Sequence, residues 1–155
     1  MQNNNTTDTR NLAVRVFNLF YETAHSVVRE TDNQLHKAVG LSASKFFVLM
    51  VLSANKGVMP AAKLAEWTNT RPHNITTLVD RMKKDGLVAT ERSEVDRRSV
   101  LIRLTDKGRS VLAQGMPAAR EIVARFTDSM SEQELVASEK LLNKVKQNIH
   151  RVQNQ

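Results

Sequence analysis

The stretch from Pro72 to Gly86 limits the fold of this chain more than any other. Proline suits the first turn of a helix, where its missing N–H leaves no ladder bond unmade. Glycine suits the left-handed residue that ends one. Between them Ile75, Leu78, Val79 and Met82 follow an i, i+3, i+4, i+7 pattern, which makes one narrow apolar stripe. At about 100° per residue, His73, Thr77, Asp80 and Lys84 gather on the opposite side, with Thr76 and Arg81 flanking. The pattern predicts a short helix laid on a core with its polar face turned outward for contact. That face is read as a recognition surface for the major groove of DNA.

The rest of the chain agrees. Residues 1–8 read as a polar tail, with neither the basic nor the apolar region of a signal peptide. From Asp8, a candidate N-cap, Leu12, Val16, Leu19, Phe20, Val27, Leu35 and Val39 recur at helical spacing. Residues 9–40 are therefore expected to form a long helix with a soft point at Thr31-Asp32-Asn33, ended by Gly40. Ser42 caps a second helix over 43–54, whose run Phe46–Leu52 is apolar throughout and predicts burial on most sides. Gly57 and Pro60 punctuate the chain, and Pro60 to Trp67 reads as a short helix with Leu64 and Trp67 inward. The turn Thr68-Asn69-Thr70 then joins it to the Pro72 helix as a helix-turn-helix. Leu87–Arg92 and Ser99–Leu104 alternate like strands around the polar turn Ser93-Glu94-Val95-Asp96-Arg97, and a hairpin in this place is a wing. Thr105 caps a helix from Asp106 to about Phe126, in which Gly115 and Pro117 predict a kink or break. Ser131-Glu132-Gln133-Glu134 is a capping box opening a last helix striped by Leu135, Leu141, Leu142, Val145 and Ile149.

The fold expected is mainly α: a winged helix-turn-helix over 41–105, with a short β-hairpin wing, bracketed by long dimerisation helices over 9–40 and 106–155. A first helix this long cannot be wrapped by so small a core, so part of its apolar face is expected to meet another chain.

The net charge of +7 and a pI near 10.1 favour a polyanionic partner, nucleic acid before membrane. From Arg71 to Arg109 ten Lys/Arg face six acids, so a quarter of the chain holds an excess of four positive charges. Phosphate neutralisation needs such a concentration, because counterion release supplies most sequence-independent affinity. On the helix, Arg71, His73, Asn74, Thr76, Thr77, Arg81 and Lys84 are the candidate DNA contacts. Asn74 suits adenine, threonine methyls suit thymine methyls, and Arg71 suits guanine or phosphate. At the wing tip, Arg97 and Arg98 are free to reach a backbone or a narrow minor groove. The alternative use of the same basic face is contact with an acidic protein partner.

Other chemistries find little footing. The chain has no cysteine, which excludes disulfides, thiol redox sensing, cysteine nucleophiles and thiolate metal sites, and fits a reducing cytoplasm. No apolar run approaches the ~18–20 residues of a membrane span. His25, Asp32 and His36 share a helix face but span about 16 Å, too far for one ion, so no metal or cofactor is expected. No nucleophile elbow, phosphate loop or HExxH appears, and no catalytic residue is named. Tyr21, His25, Phe46, Phe47, Met50 and Trp67 are either core or the lining of an apolar pocket where the long helices meet the winged helix.

Lys63-Leu64-Ala65-Glu66, Leu78-Val79-Asp80-Arg81-Met82, Lys84-Asp85-Gly86-Leu87-Val88 and above all the run Asp96–Gly108, with its Leu104-Thr105-x-x-Gly108, resemble MarR-family transcriptional regulators. Helix order and length match across about Thr9 to Ile149. The resemblance implies a cytoplasmic homodimer, triangular in outline, with its first and last two helices interleaved. Two recognition helices would then sit in successive major grooves of a pseudo-palindromic site, with wings on the flanking minor grooves. It implies that Arg98 and Arg97 are wing arginines, that Asp96 orients one of them, and that a small phenolic or anionic ligand changes the spacing of the DNA heads. It therefore implies a repressor. In this chain Ser93-Glu94-Val95-Asp96 replaces the longer Asp-Pro-Arg-Asp tip of many relatives, so one wing arginine is expected to be absent. The helix entry Asn69–Asn74 also differs from the commoner Ser-Arg-Pro-Thr type, so base preferences do not transfer.

Overall fold

The computed structural model describes residues 4–93, 96 and 99–153. The described elements are α1 (Asn4–Val39), α2 (Ala43–Ala54), β1 (Val58–Pro60), α3 (Ala61–Trp67), α4 (Pro72–Lys84), β2 (Val88–Arg92), β3 (Val100–Leu104), α5 (Asp106–Thr127) and α6 (Glu132–Gln153). They fall into two compact units, residues 1–119 and 120–155.

In the first unit the core gathers on α2. Phe46, Val48, Leu49, Val51 and Leu52 are buried there, with Leu35 of α1, Leu64 of α3, Ile75, Val79 and Met82 of α4, and Ile102 and Leu104 of β3. The boundary signals act as the sequence predicts. Gly40 takes a φ of +69° and its N–H closes on His36 O at 2.9 Å. The Ser42 hydroxyl accepts from Lys45 N–H at 3.4 Å. Thr105 caps α5 by accepting from Gly108 N–H at 3.0 Å.

The sheet has the order β1-β3-β2, antiparallel throughout. Ile102 sits opposite Met59 of β1, and Leu104 opposite Val88 of β2, so alternate residues of the central strand meet buried partners. On the outward face Arg103 pairs with Glu91. The sequence reading missed β1. Three residues are too few to display a period of two, and Gly57 and Pro60 read as breakers. Pro60, at the end of an edge strand, is tolerated because it owes the ladder no N–H. It then serves as the N-cap residue of α3.

Several expectations are corrected. α1 starts at Asn4, inside the expected polar tail, and passes unbroken through Thr31-Asp32-Asn33. Asp32 is not a break: its carboxylate accepts from Ala43 N–H at 2.5 Å, tying α1 to the first turn of α2. α2 is buried on most sides as expected, and Phe47 and Met50 lie on its exposed side. Trp67 does not point inward and is 59% exposed. α5 is not broken at Gly115 or Pro117. A Cβ on Gly115 would lie 2.3 Å from Phe46 Cε2, so this glycine serves the close approach of a ring. Pro117 forgoes one helix bond, to Ala113 O, and the turns on either side carry the helix across.

In the second unit the capping box of α6 forms as expected. Ser131 N–H donates to Glu134 Oε2 at 2.8 Å and Glu134 N–H donates to Ser131 Oγ at 3.3 Å. The hydrogen bonds from the Ser131 backbone and hydroxyl hold the Glu134 carboxyl below the usual glutamate range. Leu135, Leu141, Leu142 and Ile149 of this helix remain exposed.

Gly115→Ala is expected to lower stability by about 1–3 kcal/mol through overpacking. Thermal unfolding checks this. In the double variant with Phe46→Leu the total loss should be smaller than the sum of the two single losses, because removing the ring edge makes room for the methyl.

Candidate nucleic-acid interface

The turn that presents α4 is built from local bonds. The Thr68 hydroxyl donates to Leu64 O at 2.8 Å, and Thr70 N–H returns to Ala65 O at 2.9 Å. Asn69 takes a φ of +48°, a left-handed conformation that asparagine tolerates better than most residues. Arg71 is the N-cap residue of α4 and makes no side-chain cap, and Pro72 follows in the first turn. The N–H groups of His73 and Asn74 therefore meet no capping side chain. Such donors, with the helix dipole behind them, suit a phosphate oxygen.

Ile75, Val79 and Met82 anchor α4 in the core, and Leu78 is half-buried beside them. Arg71, His73, Asn74, Thr76, Thr77, Asp80, Arg81, Lys83 and Lys84 are all exposed. The face drawn from the sequence is thus one continuous surface. The threonine hydroxyls, however, turn back on the helix. Thr76 Oγ1 donates to Pro72 O at 3.0 Å and Thr77 Oγ1 donates to His73 O at 3.2 Å.

The far end of α4 is held from two sides. Lys45 Nζ of α2 pairs with Asp85 Oδ2 at 2.7 Å, and Lys107 Nζ of α5 donates to Asp85 O at 2.7 Å. The Thr105 hydroxyl lies 2.7 Å from Gly86 O and 2.9 Å from Leu87 O. The orientation of α4 is fixed by these bonds together with its buried stripe.

At the wing, Ser93 N–H donates to Ser99 O at 3.0 Å and Asp96 N–H donates to Ser93 Oγ at 3.2 Å. Arg97 and Arg98 lie outside the described residues, as do Glu94 and Val95. The described cations divide into those held by a carboxylate and those that are not. Arg103 is occupied by Glu91, and Arg109 lies 3.8 Å from Asp106. Arg71, Arg81, Lys83, Lys84 and Arg92 make no ion pair among the described residues. Lys83 and Arg92, counted in the basic excess but not among the candidate contacts, are exposed and become candidates for the same surface. Their signal in the sequence was only position: one flanks the polar side of the helix, the other leads into the wing.

Of the aromatic set proposed as core or pocket, Phe46 is core, lying against Gly115. Tyr21 and His25, one helical turn apart on α1, bring their rings together at a tilt, with centroids 4.4 Å apart. Phe47, Met50 and Trp67 are exposed.

The MarR family model matches residues 39–99, from the end of α1 into the wing. The transcriptional regulator MgrA of Staphylococcus aureus, of the HTH type, is 30% identical over 141 residues, 89% of this chain and 92% of MgrA. The chain belongs to the MarR family. Solved structures agree on its winged-helix fold. Sco3205 of Streptomyces coelicolor, a MarR-family regulator in complex with DNA, superposes with a TM-score of 0.82 at 21% identity, covering 86% of this chain and 84% of that one. The organohalide-sensing transcriptional regulator RdhR in its 2,4-dichlorophenol-bound form gives 0.80 at 26% identity, covering 96% and 87%. These relatives are regulators, and none is an enzyme by name.

In a salt titration on duplex DNA, Lys83→Ala and Arg92→Ala are each expected to lower the slope of log K against log salt by about 0.9. Arg103→Ala, which removes a cation already held by Glu91, is expected to leave the slope unchanged.

Proposed function

We propose that this MarR-family chain is a homodimeric, sequence-specific DNA-binding repressor. In this reading it acts in the cytoplasm on a pseudo-palindromic operator and is released from it by a small aromatic or anionic ligand. The observation that carries the DNA reading is the exposed face of α4, with cations that make no ion pair among the described residues, raised on a stripe that is itself buried. His73, Asn74, Thr76 and Thr77 lie in the first turns, where a recognition helix meets base edges, whereas Arg71, Arg81 and Lys84 serve the backbone. In this reading Arg97 and Arg98 are the wing contacts to DNA, with Asp96 orienting one of them. Contact with an acidic protein on the same face is not favoured, since the relatives are transcriptional regulators of the HTH type.

Dimerisation is supported by uncovered apolar side chains on the terminal helices. Leu12, Val16, Leu19, Phe20 and Val27 of α1 and Leu135, Leu141, Leu142 and Ile149 of α6 are all exposed in the single chain. Such faces mark an interaction site, and the regular helical spacing suits a second copy laid alongside. Residues 9–40 and 106–155 then supply the dimer, and 41–105 the DNA head.

The ligand reading rests on the exposed Tyr21–His25 ring pair and on exposed Phe47, Met50 and Trp67. RdhR holds a chlorinated phenol, an aromatic and weakly acidic molecule of the class proposed here. A ligand that prefers one dimer geometry shifts the population away from the geometry that fits DNA.

Arg98→Ala is expected to weaken binding to all duplexes and to flatten the salt dependence, while Asn74→Ala changes which sequences are selected from a random pool. Unchanged affinity and selection in both variants would refute this placement of the DNA surface. Absence of duplex binding even at low salt would return the acidic-partner reading.

A further inference from the structure

Thr77 stands at the crest of the recognition helix. With the buried stripe centred on Ile75, Val79 and Met82, at about 100° per residue Thr77 falls within roughly 30° of the point directly opposite. His73 and Lys84 share that crest, and Thr76 flanks it. A residue there is among the first to meet whatever α4 touches. Yet the hydroxyl of Thr77 is spent on His73 O at 3.2 Å, and that of Thr76 on Pro72 O at 3.0 Å.

This changes what the two side chains offer. A threonine with its hydroxyl hydrogen turned to the i−4 carbonyl has no donor left for a base edge. It presents a methyl group and the remaining lone pairs of the oxygen. Leaving a crest hydroxyl unpartnered in a dry interface would cost free energy, and the bond to the helix carbonyl removes that cost. Only one base atom group in the major groove is matched by a methyl: the C5-methyl of thymine.

We propose that Thr77, with Thr76 beside it, reads thymine through methyl contact and not through a hydrogen bond. The inference rests on the reading of α4 as the recognition helix. It assigns a base class to the crest of that helix and separates the crest from the polar readers His73 and Asn74.

The test starts from the duplex that the native protein selects from a random pool. Thymines in that duplex are replaced by deoxyuridine, first together and then one at a time, which removes the methyl and leaves every hydrogen-bonding group in place. The native protein is expected to lose roughly fourfold in affinity per contacted methyl. Thr77→Val keeps the methyl, so it should bind within about twofold of native and retain the uracil penalty. Thr77→Ser keeps only the hydroxyl, so it should bind the thymine site several-fold more weakly and lose the uracil penalty at the one thymine that Thr77 contacts, while any penalty at a thymine read by Thr76 remains. Thr77 is exposed, and circular dichroism should show both variants folded as native.

The opposite pattern, with the serine variant neutral and the valine variant weak, overturns the proposal by showing that the hydroxyl does the reading. A native protein that selects a sequence but binds the uracil duplex equally well overturns it too, while leaving the DNA-binding reading intact. A native protein that selects no sequence overturns both.

Discussion

The side chain of Thr105 and the missing side chain of Gly108 hold the junction on which the winged helix depends. One hydroxyl lies against Gly86 O and Leu87 O and accepts from Gly108 N–H, so the exit of α4, the base of the wing and the start of α5 share an anchor. A Cβ on Gly108 would lie 2.2 Å from Leu87 O and 2.8 Å from Leu104 Cδ1, which no larger residue can satisfy without moving backbone. Leu104 N–H reaches Gly57 O at 2.8 Å, so the third strand is joined at the same place. With Lys45 and Lys107 both on Asp85, the C-terminal end of α4 cannot shift independently of α2 and α5. The Leu-Thr-x-x-Gly run that marks the family is thus a packing requirement, written in the residues that meet it.

Two kinds of apolar surface follow from one helical pattern. On α2 and α4 the stripe is buried inside the first unit, where it closes a core with the sheet. On α6 and on α1 between Leu12 and Val28 the stripe has the same spacing but lies open. Periodicity encodes that a face is apolar and is silent about whether its cover comes from the same chain. The second copy proposed above would give those faces their cover, and would set the spacing between two recognition helices.

Much of the architecture was legible because its signals are local. Pro72 and Gly86, Gly40 and Ser42, Thr105, and Ser131 with Glu134 mark element ends through bonds made within a few residues, and all behave as read. What escaped the sequence depends on neighbours distant in the chain. β1 exists because β3 offers it a ladder. Thr31-Asp32-Asn33 stays helical because the Asp32 carboxylate has a better use on Ala43 N–H than in breaking its own helix. Gly115 resembles a breaker until the Phe46 ring is seen against it. Trp67, Phe47 and Met50 look inward on hydrophobicity alone, but the inner positions of α2 and α3 are already filled.

The candidate DNA surface divides along the same line. By itself the sequence determined that α4 would be a helix, which residues would share its polar face, and that the basic excess would cluster around it, because helical angle and charge are both read by position. Only the tertiary structure decided how that face is used. It occupied Arg103 with Glu91, left Lys83 and Arg92 free of ion pairs among the described residues, and turned the hydroxyls of Thr76 and Thr77 back on their own helix. The physical reason is that a side chain's donors and charges are set by what lies within about 3 Å of them, and that distance is a property of packing that no single stretch of sequence contains.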